Sequence, residues 1–126
     1  MKASKVKALD DRDREFAETL QKLGVEQNVA AMITYLMNVD KATSREIEMG
    51  TDLSRPEVSI GANILRLNGW LEESYTKSEK RGGRPSRLYK LKASIDEIIR
   101  HFEEEEIRES SRTIQSIQKL RQLATS

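Results

Sequence analysis

Downstream of Pro85 the chain contains neither proline nor glycine. Ser94-Ile95-Asp96-Glu97 has the pattern of a capping box, with a hydroxyl and a carboxylate exchanging bonds across the first turn. The spacing predicts one helix from there to about Leu123. Its apolar positions are Ile95, Ile98, Ile99, Phe102, Ile107, Ile114, Ile117, Leu120 and Leu123, interrupted by the four acids Glu103 to Glu106. The whole chain is 126 residues and 14.4 kDa, the size of one domain. A helix this long with one narrow apolar stripe cannot bury itself against so small a body. It is expected to pair with another helix, supplied by a second copy of the chain. Ile95, Ile99, Phe102, Ile107, Ile114, Ile117 and Leu120 are the expected dimerisation residues. Arg121 falls where the heptad begun by Ile107 and Ile114 needs an apolar residue, so a regular long coiled coil is not expected.

The composition excludes several classes of function. There is no cysteine, which removes disulfides, thiolate catalysis and cysteine-based zinc sites. No apolar run approaches the ~20 residues of a membrane span, and no apolar block follows the lysines at the start. A cytoplasmic protein without a cofactor is expected. His101 is the single histidine; Glu97 and Glu105 lie four residues to either side of it. That spacing suits a metal, but an ordinary exposed helix face is the expectation. Glu72-Glu73 and Asp10-Asp11 are adjacent carboxylates that point to different faces, which does not support acid/base chemistry. Neither a phosphate-binding glycine loop nor a catalytic triad is present, so an enzyme is not expected.

Residues 1–9 read as a flexible N-terminus. A helix follows from Asp10, with Phe16, Leu20 and Leu23 on one face and Gly24 as its stop. Val29, Met32, Ile33, Leu36 and Met37 predict a buried helix from Gln27 to Asn38. Asp40 to Thr43 reads as a polar break. Ser44 is the expected cap of a short helix through Met49, closed by Gly50. Ser54-Arg55-Pro56-Glu57 is another capping box, with Leu53 placed to staple against Val58. The helix it opens runs to Asn68, with Val58, Ala62 and Leu65 inward and Gly69 as its end. The period then changes. Trp70–Lys77 and Arg87–Leu91 predict a two-stranded hairpin around the loop Ser78–Ser86, marked by Gly82, Gly83 and Pro85.

The net charge of +1 hides an asymmetry. Residues 77–92 carry seven basic and one acidic side chain, a net of +6, while every other part is weakly acidic. A concentrated basic segment on an otherwise bland chain points to a local contact with a polyanion.

The predicted fold is mostly α with a small β-hairpin. It divides into a flexible start at 1–9, a domain at 10–92 and a C-terminal dimerisation helix at 93–126. Within the domain, the order of buried helix, short helix, tight turn, capped helix and basic-tipped hairpin carries a resemblance. Residues 27–92 resemble the winged helix-turn-helix domains of bacterial and archaeal transcription regulators of the MarR, TrmB and ArsR-like group. The matching residues are Thr43-Ser44-Arg45-Glu46-Ile47, Leu53-Ser54-Arg55-Pro56-Glu57-Val58-Ser59 and the helix exit Asn68-Gly69-Trp70-Leu71. The C-terminal helix resembles the dimerisation helices of small archaeal members. The resemblance implies a homodimer on double-stranded DNA, with no membrane partner.

The residue chemistry assigns roles within that expectation. A helix enters the major groove N-terminus first, where free amides and dipole favour phosphate. Ser44, Arg45, Ser54, Arg55, Pro56, Glu57, Ser59, Ile60, Asn63 and Arg66 make up the expected helical contact surface. Arg55 suits guanine or phosphate, Asn63 suits adenine, and Ile60 suits a thymine methyl. In the wing, Gly83-Arg84-Pro85 resembles the core of an AT-hook. Arg84 is the residue expected in the minor groove, with Lys80, Arg81 and Arg87 on phosphates. Lys2, Lys5 and Lys7 are expected to be solvated. Trp70 is expected to anchor the core or the dimer. Two matters stay open: an effector of unknown identity seated between dimer helices, and the alternative of a winged helix that docks protein in a transcription or replication assembly.

Overall fold

The computed structural model describes residues 8–76 and 85–125. The chain divides into two compact units, Met1–Ala93 and Ser94–Ser126.

The first unit contains α1 (Asp11–Lys22), α2 (Gln27–Met37), β1 (Ala42–Thr43), α3 (Ser44–Thr51), α4 (Arg55–Leu67), β2 (Leu71–Tyr75) and β3 (Arg87–Leu91). α2 is its centre and packs against α1, α3, α4 and β3. That is why α2 is apolar nearly all round: Val29, Ala30, Met32, Ile33, Thr34, Tyr35 and Leu36 are all buried. Thr34 is tolerated there because its hydroxyl donates to the Ala30 carbonyl at 2.8 Å. Gly61 lets α4 cross α2 closely, since a Cβ at that position would lie 2.6 Å from Met32 Sδ.

Both glycine-terminated helices end in Schellman turns. Gly24 has φ +97 and Gly69 φ +76, while the Val25 and Trp70 amides donate back to Leu20 and Leu65. α1 begins on a capping box between Asp10 and Asp13. Asp13 is buried, and its Oδ1 also accepts from Asn38 Nδ2 at 3.0 Å, which ties the start of α1 to the end of α2.

Three sequence expectations are corrected here. The cap of α3 is Thr43 and not Ser44: the Thr43 hydroxyl accepts from the Glu46 amide at 3.2 Å, and Glu46 returns to the Thr43 amide at 2.8 Å. Ser44 lacks a carboxylate three residues on, so it cannot close the same box. Gly50 does not end α3. The helix continues to Thr51 and stops at Asp52, which takes the left-handed conformation with φ 64. Finally, the sheet has three strands in the order β1-β3-β2, because the supposed break at 40–43 contributes β1. Ala42 pairs with Tyr89 and Thr43 with Leu88, both antiparallel.

The second unit is a single helix, α5 (Ile95–Thr125), opened by the predicted Ser94 box. Together these elements are a winged helix-turn-helix with a long C-terminal helix.

Candidate nucleic-acid interface

α4 is amphipathic in a way that separates support from contact. Val58, Gly61, Ala62 and Leu65 are buried, and Arg55, Pro56, Glu57, Ser59, Ile60, Asn63 and Arg66 are exposed. At the start of α4, Ser54 accepts from the Glu57 amide at 3.3 Å and Glu57 accepts from the Ser54 amide at 2.8 Å. The carbonyl of Glu57 also receives Asn28 Nδ2 of α2 at 3.0 Å. Glu57 and Ser54 are therefore committed to holding the helix end in place. That leaves Arg55 and Ser59 to present their side chains. Ile60 is 56% exposed, and Leu67, two turns further on, is 79% exposed. On α3, Arg45 is exposed, whereas Ser44 is half-buried and donates to Glu48 at 3.1 Å.

The far end of α4 is joined to the hairpin. Arg66 Nη1 donates to Asn63 Oδ1 at 3.0 Å, and the same guanidinium pairs with the Glu73 carboxylate on β2. The other Glu73 oxygen lies 3.6 Å from Arg87 Nε on β3. Arg87 in turn sits over the Tyr75 ring at 5.8 Å. The strand register explains this cluster: Tyr75 faces Arg87, Glu73 faces Tyr89 and Leu71 faces Leu91, so alternate residues share one face. Hydrogen bonding to Tyr89 and Tyr75 raises the Arg87 pKa above its ordinary value. Lys90, three positions along β3 from Arg87, lies on the opposite face and pairs with Asp40 at 3.7 Å. The basic segment is thus split by the pleat.

The neck of the hairpin is closed by Thr76 and Ser86. The Thr76 amide donates to the Ser86 carbonyl at 2.8 Å, and the Ser86 amide donates to Thr76 Oγ1 at 2.8 Å. Lys80, Arg81 and Arg84 lie outside the described residues, as do Lys2, Lys5 and Lys7. Of the predicted contact residues, then, the structure brings Asn63, Arg66 and Arg87 into one cluster. Arg55, Ser59 and Ile60 stand on the exposed side of the same helix.

Glu73 is the member of this cluster that sequence reasoning missed. Its signal was available: position 73 shares the inward phase of a strand with Leu71, where a carboxylate needs a cation. Trp70, at the helix exit, is half-buried.

In α5, Ile98 is buried, Ile95 and Phe102 are half-buried, and Ile99, Ile107, Ile114, Ile117, Leu120 and Leu123 are exposed. His101 Nε2 lies 3.8 Å from Glu105, and its ring meets Phe102 edge-on at 5.3 Å. Among the described residues no helix is long and apolar enough to cross a membrane.

No family model matches the chain, and no curated protein matches it. Solved structures do. A possible transcriptional regulator from Methanosarcina mazei superposes with a TM-score of 0.65 at 16% identity, covering 81% of this chain and 86% of that one. At that identity the likeness speaks to the fold, and it agrees with the winged helix read from the elements. More distant matches include the YusO protein from Bacillus subtilis, with TM-score 0.48, 16% identity and coverage of 91% and 86%. A PadR-like transcription factor from Bacteroides fragilis gives TM-score 0.47, 14% identity and coverage of 77% and 96%.

Proposed function

We propose that the protein is a homodimeric, sequence-specific regulator of transcription that binds double-stranded DNA. α4 enters the major groove with Arg55, Ser59, Ile60 and Asn63 at base edges. The hairpin lies along the neighbouring backbone, with Arg84 in the minor groove and Lys80, Arg81 and Arg87 on phosphates. Arg45 contacts phosphate from α3. Two copies, joined through α5, address half-sites about one turn, ~34 Å, apart. An effector, if one acts, sits between dimer helices, and the protein works in the cytoplasm. The reading stays at the level of winged-helix regulators, and the Methanosarcina mazei protein of similar fold is described as a possible transcriptional regulator.

The observation that carries this reading is the Arg66–Glu73–Arg87 cluster, which sets the hairpin base on the same side as the exposed face of α4. One duplex can therefore meet both. Selection of bound sequences from a random duplex pool tests it, because binding, base preference and half-site symmetry are read together. A two-fold symmetric motif is expected. Absence of any duplex binding at low salt would favour the protein-docking alternative instead.

A further inference from the structure

The charge of α5 is segregated. Residues 96–109 hold seven acidic and two basic side chains, whereas residues 110–126 hold three basic and none acidic. Ile107, Ile114 and Ile117, three of the exposed apolar residues of α5, lie on one seam. Stepping by four and three along the helix, positions 103, 107, 110, 114, 117 and 121 share one face, since such steps return to the same side every two turns. They are Glu103, Ile107, Ser110, Ile114, Ile117 and Arg121. Ile107, Ile114 and Ile117 are 60%, 55% and 46% exposed. The seam thus has three isoleucines and one serine in its middle, with an acid at one end and a base at the other. Within the helix Arg108 pairs with Glu105 at 3.2 Å and Arg112 with Glu109 at 3.3 Å. Among the described residues Glu103 and Arg121 make no ion pair.

We infer that this seam is covered by α5 of a second copy running antiparallel, centred on Arg112. In that register Glu103 meets Arg121 of the second copy, Ile107 meets its Ile117, and Ser110 meets its Ile114. Each contact matches the two alternating seam positions that antiparallel heptads bring together. The two charged seam positions then become one ion pair, made twice by the two-fold axis. A parallel, in-register pair instead sets Glu103 on Glu103 and Arg121 on Arg121, like charges at both ends of the seam. The inference supplies the orientation of the homodimer proposed above and rests on that self-association, but not on DNA binding.

The absence of native cysteine makes the test clean. In the antiparallel pair, position 107 of one copy lies beside 117 of the other and ~15 Å along the axis from its own equivalent. An equimolar mixture of the full-length Ile107→Cys and Ile117→Cys variants should oxidise to the mixed disulfide dimer, and neither variant alone should cross-link. Self-cross-linking of each variant alone would overturn the inference in favour of a parallel pair. A second measurement does not depend on cysteine geometry. By sedimentation equilibrium, Glu103→Arg and Arg121→Glu should each weaken the dimer about tenfold or more, and the double exchange should restore it. Additive losses in the double variant, or a wild-type chain that stays monomeric, would contradict the inference. Electrophoretic shift of a random duplex by the same samples reports separately on the DNA reading, which can fail or stand independently of helix orientation.

Discussion

Arg66 on α4 and Glu73 on β2 form an ion pair that spans from the helix to the hairpin, and Arg87 approaches the same carboxylate from β3 at 3.6 Å. A single acid therefore restrains two of the cations assigned to DNA. It orients Arg66, and through it Asn63, while holding down the local positive potential. Exposed pairs of this kind contribute only about 0–1 kcal/mol to stability, so the main consequence of the pairing lies in how DNA is met.

Glu73→Gln should leave the melting temperature nearly unchanged. Affinity for a random duplex should rise, because Arg66 and Arg87 no longer share a carboxylate. Discrimination between the selected motif and random sequence should fall, as Asn63 and Arg66 lose their fixed positions. Fluorescence anisotropy with both duplexes measures the two effects together. Unchanged affinity for both duplexes would contradict the role given to Glu73.

Asn63→Ala should alter base preference at one position of each half-site, with little change in the salt dependence of binding. Repeating the sequence selection on the variant checks this. An unaltered motif would remove Asn63 from the base-reading set.

Gly61→Ala tests the crossing of α2 and α4. Alanine gains about 1 kcal/mol of helix propensity over glycine, but its Cβ would lie 2.6 Å from Met32 Sδ in a core where Met32 is fully buried. Overpacking of this sort costs about 1–3 kcal/mol and wins. A net loss of about 1 kcal/mol is expected in denaturant unfolding; a stabilised variant would show that the crossing has slack.

Thr43→Ala should cost about 1 kcal/mol through loss of the α3 capping box, and Ser44→Ala much less. For a domain of this size, about 1 kcal/mol lowers the melting temperature by about 4–8 °C. The reverse order of effects would contradict the assignment of Thr43 as the cap.

The readable parts of the fold were those written in local chemistry. Ser54 and Ser94 each precede a carboxylate by three residues, and Gly24 and Gly69 sit where left-handed backbone ends a helix. The same rule, applied strictly, selects Thr43 over Ser44, since only Thr43 has Glu46 at that spacing. β1 was not legible because two residues carry no period, and its pairing to Leu88 and Tyr89 is a long-range event. The burial of Asp13 was hidden for a similar reason: its second partner, Asn38, lies on another helix. The outward set on α4 followed from its 3.6-residue period. Its link to the hairpin through Glu73 needed the strand register, which sequence spacing alone does not supply.

The most direct measurement of the central claim is the binding of a random duplex as a function of salt, comparing wild type with the Arg84→Glu, Arg87→Glu double variant. The account predicts wild-type binding that weakens steeply as salt rises, and a large loss of affinity for every sequence in the double variant, with a shallower salt slope. A double variant that binds as tightly as wild type at moderate salt would contradict it, because helix and hairpin would then not form one surface for DNA.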